Sequence, residues 1–158
     1  MKDPGNRDIA ILSGVQILCF IALTQLEPHF LFIHLYELIP YVAILLFIAY
    51  GKDRWAYMLG PIVSVAWLGL AYMAGLLDSA VLHLWTPSGY TLGANLVSAL
   101  AVVTGGIAVT ITLRCRIHWK REFAGQGLAP RTFLLSLAAV ASYYIVFLHW
   151  FWDMIPNA

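Results

Sequence analysis

Charge is scarce in this chain: Asp, Glu, Lys and Arg make up 11% of its 158 residues, against about a quarter in soluble domains. So few ionised groups cannot cover a water-facing surface, which excludes a soluble enzyme or a receptor ectodomain. The signs nearly cancel, with a formal net charge of +1. No basic surface is therefore available to hold phosphate backbones, and nucleic acid is excluded as a partner. Cysteine is equally sparse. Cys19 and Cys115 are the only two, without a C-x-x-C pair, so neither a disulfide framework nor a redox motif is present. Apolar and polar residues do not alternate with period two, which removes a membrane β-barrel. A nucleophile elbow, phosphate loop, transporter repeat and selectivity filter are also missing. The balance therefore leans away from an enzyme.

What the chain has in abundance is apolar surface: 61% of residues are hydrophobic and the mean hydropathy is +0.81. Each crossing of a bilayer takes about 20 such residues. Five runs qualify, at 9–26, 30–50, 55–77, 90–113 and 132–152. Together they predict an all-α integral membrane protein, a five-transmembrane-helix bundle forming a single transmembrane domain over residues 1–158. The first run follows a charged start, as a signal peptide would. Thr24, Gln25, Leu26 and Glu27 offer no small-residue cleavage site, so this run is expected to be a retained helix.

Orientation follows from the cations. With five spans, Lys2, Arg7, Lys52, Arg54, Arg114, Arg116, Lys120, Arg121 and Arg131 all fall on one side. Asp3, Asp8, Asp53 and Glu122 share that side, while Glu27, Glu37, Asp78 and Asp153 lie opposite, giving +5 against −4. The N-terminus is then expected in the cytoplasm and the C-terminus on the outer, periplasmic or extracellular side of the cytoplasmic (inner) membrane. The basic stretch 114–131 reads as an interfacial cytoplasmic loop. Arg114, Arg116, Lys120 and Arg121 alternate there with Ile117, Trp119 and Phe123, a pattern suited to binding anionic lipid at the bilayer surface. The positive-inside rule alone would place the same cations there.

Small residues mark expected helix seams. They are Ala94, Ser98, Ala101, Gly105, Ala108 and Thr112 in the fourth run, Gly60, Ser64, Ala71 and Gly75 in the third with Asp78 continuing the stripe, and Ala138 and Ser142 in the fifth with His149 beyond. Pro40 and Pro61 sit inside runs, where neighbours must re-satisfy freed carbonyls. Trp55, Tyr57, Trp85, Tyr90, Trp150 and Trp152 are placed as interfacial anchors.

Ionisable groups inside spans are costly and mark sites. His34 and Glu37 are three apart in the second run and so share a helix face. His149 approaches the same level in the fifth, and Asp78 lies at the rim. No Lys or Arg is near, so Glu37 is either protonated, paired with a charged histidine, hydrated or metal-bound. His34, Glu37 and His149 are the candidate metal ligands, and a facing histidine pair would also suit a b-type haem. Three functions stay open. The first is a small accessory subunit that packs against or helps assemble a larger membrane complex, or a homo-oligomer. The second is a membrane enzyme or a metal- or proton-handling transporter using the His/carboxylate cluster. The third is a binder of a lipophilic cofactor such as a quinone, carotenoid or haem, held among Tyr36, Tyr41, Trp67, Tyr143 and Tyr144.

Overall fold

The computed structural model describes residues 4–123 and 129–151, which form six α-helices and two short 3-10 turns. The helices are α1 (Pro4–Leu26), α2 (Leu31–Ala49), α3 (Asp53–Met73), α4 (Leu76–Trp85), α5 (Leu92–Glu122) and α6 (Ala129–Phe151). All but α4 are long and apolar enough to span a membrane, five in number as the hydropathy implies. Trp152 and Asp153 lie outside the described residues.

α1, α2, α3 and α5 form a ring in which α1 packs on α2, α2 on α3, α3 on α5 and α5 on α1. α6 stands outside this ring against α3, and α4 lies along α5. The ring closes over one face of α1 that carries Ile9, Ser13, Gln16, Phe20 and Leu23, all buried. These positions recur at helical spacing, while Ile11, Val15 and Leu18 on the other face are exposed, as lipid-facing residues would be. At the centre Phe20 packs against the rings of Tyr41 and Trp67, with centroids 5.9 and 6.0 Å apart.

The third- and fourth-run small-residue stripes line helix contacts, Gly60 of α3 meeting α5, and Ser98 and Gly105 of α5 meeting α4. Gly60, Ser64 and Ala71 of α3 and Ser98, Gly105 and Ala108 of α5 are buried. Gly60 is essential to this approach, since a Cβ there would sit 2.7 Å from Cys115 Sγ and 3.2 Å from Ile111 Cγ2. The sixth helix behaves differently. Ala138, Ser142 and His149 are exposed, so the stripe expected to be a seam has no helix of this chain against it among the described residues.

Two further expectations are corrected. The stretch 114–122 is not a loop, because α5 continues through it to Glu122. Arg, Lys and Trp sustain a helix, and neither Gly nor Pro intervenes before Gly125. The helix starts where the Thr91 hydroxyl accepts from the Ala94 N–H at 3.2 Å, an N-cap. Its 31 residues run about 46 Å at 1.5 Å per residue. Likewise the connection 78–89 contains α4, which starts after Gly75 takes φ +67° to end α3. Asp78 is therefore an exposed residue of α4, not the end of the α3 stripe. The α2–α3 turn uses Gly51 at φ +66°, with Lys52 N–H donating to Phe47 O at 2.7 Å and Gly51 N–H to Ile48 O at 3.1 Å, a Schellman closure.

Pro40 removes a helical donor, which frees the carbonyl of Tyr36 four residues earlier. The Tyr143 hydroxyl of α6 donates to that carbonyl. In return the Tyr36 hydroxyl donates to Tyr143 O at 3.4 Å, and the two rings stack at 4.3 Å. The carbonyl freed by Pro40 is thus the place where α6 is fastened to the ring.

Candidate functional site

At the end of the bundle where α1 meets α2, a short turn brings Glu27 over the first turn of α2. His34 is 9% exposed there. Its Nδ1 lies 3.2 Å from Glu37 Oε2 in hydrogen-bond contact, and its Nε2 lies 3.4 Å from Glu27 Oε2 at ion-pair distance. A neutral imidazole carries one N–H, so this ring can donate to both carboxylates only as an imidazolium. Glu37 Oε1 accepts from the Trp67 indole N–H of α3 at 3.0 Å. Three elements therefore converge on one histidine with a carboxylate on each nitrogen. Glu27 is its more open side, with 30% of the side chain exposed against 13% for Glu37. No Lys or Arg stands at this end among the described residues.

The structure thus joins His34 and Glu37 as their spacing implies, and adds Glu27 and Trp67. It does not bring His149 or Asp78 to them. His149 is exposed on α6 with its ring edge-on to Trp150, and Asp78 is exposed on α4. His34 is buried, whereas His149 is exposed. Among the described residues no group of three or more His, Cys, Asp or Glu side chains is arranged to hold a metal ion. The five aromatic residues proposed around a lipophile are packed on one another or on core rings, Tyr143 also meeting Tyr144 at 5.7 Å. Tyr36 stacks on Tyr143, while Tyr41 and Trp67 both pack on Phe20 in the core.

A second histidine group at the opposite end carried no warning in composition. His118 is buried in α5 with Nε2 3.3 Å from the Asp8 carboxylate of α1 and Nδ1 3.9 Å from Glu122 Oε1. Arg114 Nε is 3.5 Å from Asp8. The Tyr57 ring stacks on His118 at 5.4 Å, and its hydroxyl contacts Asn6 Oδ1 and lies 3.0 Å from Glu122 Oε1. Tyr57 is hence a core residue and not an interfacial anchor. Of the four cations placed for lipid binding, Arg114 turns to Asp8, while Arg116, Lys120 and Arg121 are exposed on the last turns of α5. The available signal was helical spacing, since Ile111, Cys115, His118 and Glu122 fall on one face once 114–122 is read as helix.

Compared with protein-family models, curated proteins and solved structures, the chain matches none of them.

Proposed function

We propose that this chain spans the cytoplasmic membrane with its basic end inside and that its work is proton handling, with Glu27, His34 and Glu37 as the exchanging group on the outer side. The observation that supports this is one buried imidazole whose two nitrogens each face a carboxylate. Such a ring receives a proton at one nitrogen and releases one from the other. Starting from a ring protonated on Nδ1, a proton delivered by Glu27 to Nε2 gives the imidazolium. Release from Nδ1 to Glu37 Oε2 then restores a neutral ring. The net change is one proton moved from the more open carboxyl to the inner one, with the ring converted from its Nδ1–H to its Nε2–H tautomer; a flip of the ring or return of the proton resets it.

The test is infrared difference spectroscopy of the protein in lipid nanodiscs through an acid step. Wild type is expected to show an imidazolium band and a protonated-carboxyl band that are reduced in Glu37→Gln and His34→Gln while both variants keep their helicity. Identical difference spectra in wild type and variants would overturn the proposal. Orientation is read with an impermeant maleimide on intact cells: Ser79→Cys is labelled from outside and Lys120→Cys only after lysis. Native Cys19 and Cys115 are buried and contribute little background.

A second role rests on α6. Its exposed Ala138 and Ser142 make a small-xxx-small face outside the ring, the kind of surface on which another membrane helix packs closely. This supports an accessory subunit that assembles with a larger membrane complex or with its own copies.

A further inference from the structure

Between the two histidine groups the core is not uniformly apolar. Ser13 and Gln16 of α1, Tyr41 of α2 and Ser64 of α3 are fully buried. The Tyr41 hydroxyl lies close to the side chains of Ser64 and Gln16. Yet the Ser13 hydroxyl, both amide atoms of Gln16, the Tyr41 hydroxyl and the Ser64 hydroxyl are all outside hydrogen-bond geometry with any described protein atom. Tyr144 of α6 is also buried, with its hydroxyl unbonded to any described protein atom. Counting along α1 at 1.5 Å per residue, Gln16 stands about 12 Å from Asp8 and about 16 Å from Glu27, near the middle of the span.

Polar atoms at that depth demand partners, because hydrocarbon supplies none. Buried polar groups gathered from three helices, with donors and acceptors left over, are the setting in which an internal water makes about three bonds. We infer that Ser13, Gln16, Tyr41 and Ser64 form an internal water-binding site at the centre of the bundle, which extends the outer proton-exchanging group inward; this extension rests on the proton-handling role proposed above. The link to the outer group is short. Tyr41 follows Glu37 by one helical turn, and Ser64 precedes by one turn Trp67, whose indole bonds Glu37. Other titratable groups packed around this line are Glu27, Tyr143 and Tyr144.

Toward the basic end the line stops. Ser13 is seven residues from Asn6, and Ser64 seven from Tyr57, about 10 Å in each case. Buried Ile9 and Val63 lie within those intervals, and Ile111 packs beside Gly60. The water site is therefore joined to one side of the bundle and sealed from the Asp8–His118–Glu122 group by an apolar layer.

The experiment is water-to-amide magnetisation transfer by NMR on protein labelled with nitrogen-15 at glutamine, in nanodiscs. The chain has three glutamines, Gln16, Gln25 and Gln126; replacing the last two by alanine leaves the Gln16 side-chain pair alone. A water cross-peak at the Gln16 amide is expected, lost or strongly reduced in Tyr41→Phe and in Ser64→Ala. No cross-peak in wild type, or one unchanged in both variants, would overturn the site. The acid-step infrared bands of the same wild-type sample separate the two ideas. A wet Gln16 without those bands sinks the proton role and leaves the water site, and a dry Gln16 with them does the reverse.

Discussion

Trp67 serves Glu37 in two ways that can be pulled apart. Its ring fills the core beside Phe20, and its indole N–H donates to Glu37 Oε1. Phenylalanine keeps an aromatic ring in that space and removes the donor. Leaving a buried carboxylate oxygen short of one bond costs about 1–3 kcal/mol, so Trp67→Phe is expected to lower the unfolding free energy in detergent by that order. The double variant with Glu37→Gln is expected to show coupling of at least about 0.5 kcal/mol, since contacting residues are not additive. Strict additivity in thermal or denaturant unfolding would mean the bond contributes nothing. At this scale the sequence was partly legible. The three-residue spacing of His34 and Glu37 gave their contact directly, but Glu27 enters only through the turn between α1 and α2, and Trp67 only through the packing of α3. His149 stands on the exposed side of α6 for a rotational reason. Tyr143 fixes which face of α6 meets α2, and six residues at about 100° each carry His149 roughly 240° round the helix. Phe147, one turn on from Tyr143, stays on the packed face and is buried.

The attachment of α6 makes a prediction about an element. Pro40 leaves the Tyr36 carbonyl without its helical donor, and the Tyr143 hydroxyl supplies one. Tyr143→Phe is expected to cost about 1 kcal/mol, within the range of interhelical hydrogen bonds in membranes, and to speed hydrogen exchange in α6 relative to α1. Alanine at position 40 restores an N–H to its own helix. In a Pro40→Ala background Tyr143→Phe should therefore cost much less, and an equal cost in both backgrounds would rule out the carbonyl as the partner. Element boundaries were legible where punctuation is local. Gly51 and Gly75 end α2 and α3 with positive φ, whereas the length of α5 depends on the absence of a breaker. Hydropathy windows read charge at 114–122 as an exit from the apolar run. The backbone there obeys helix propensity, and one face of the extension, Cys115 and His118, is buried against α1 and α3.

For the molecule as a whole, the closed ring of α1, α2, α3 and α5 accounts for most of the buried side chains, and α6 is held on one side of it. A lipid-facing helix has no need of alanine and serine in register, because acyl chains pack as well on leucine. The outward face of α6 nevertheless presents Ala138 and Ser142 with Ile145 and His149, while the outward face of α1 presents Ile11, Val15 and Leu18. If α6 receives another helix, cysteine at Ala138 or Ser142 should crosslink to a second polypeptide in the native membrane under mild oxidation or with a short bifunctional maleimide. Leu18→Cys, on the α1 face, should give none. An adduct of twice the chain's mass identifies a second copy, and one of another mass identifies a subunit of a larger assembly. Equal crosslinking at all three positions would reflect random collision and remove the assembly role, as would none at any of them. Because this face lies away from the Glu27–His34–Glu37 group, crosslinking there leaves the acid-step infrared bands a separate question, and the two roles stand or fall independently.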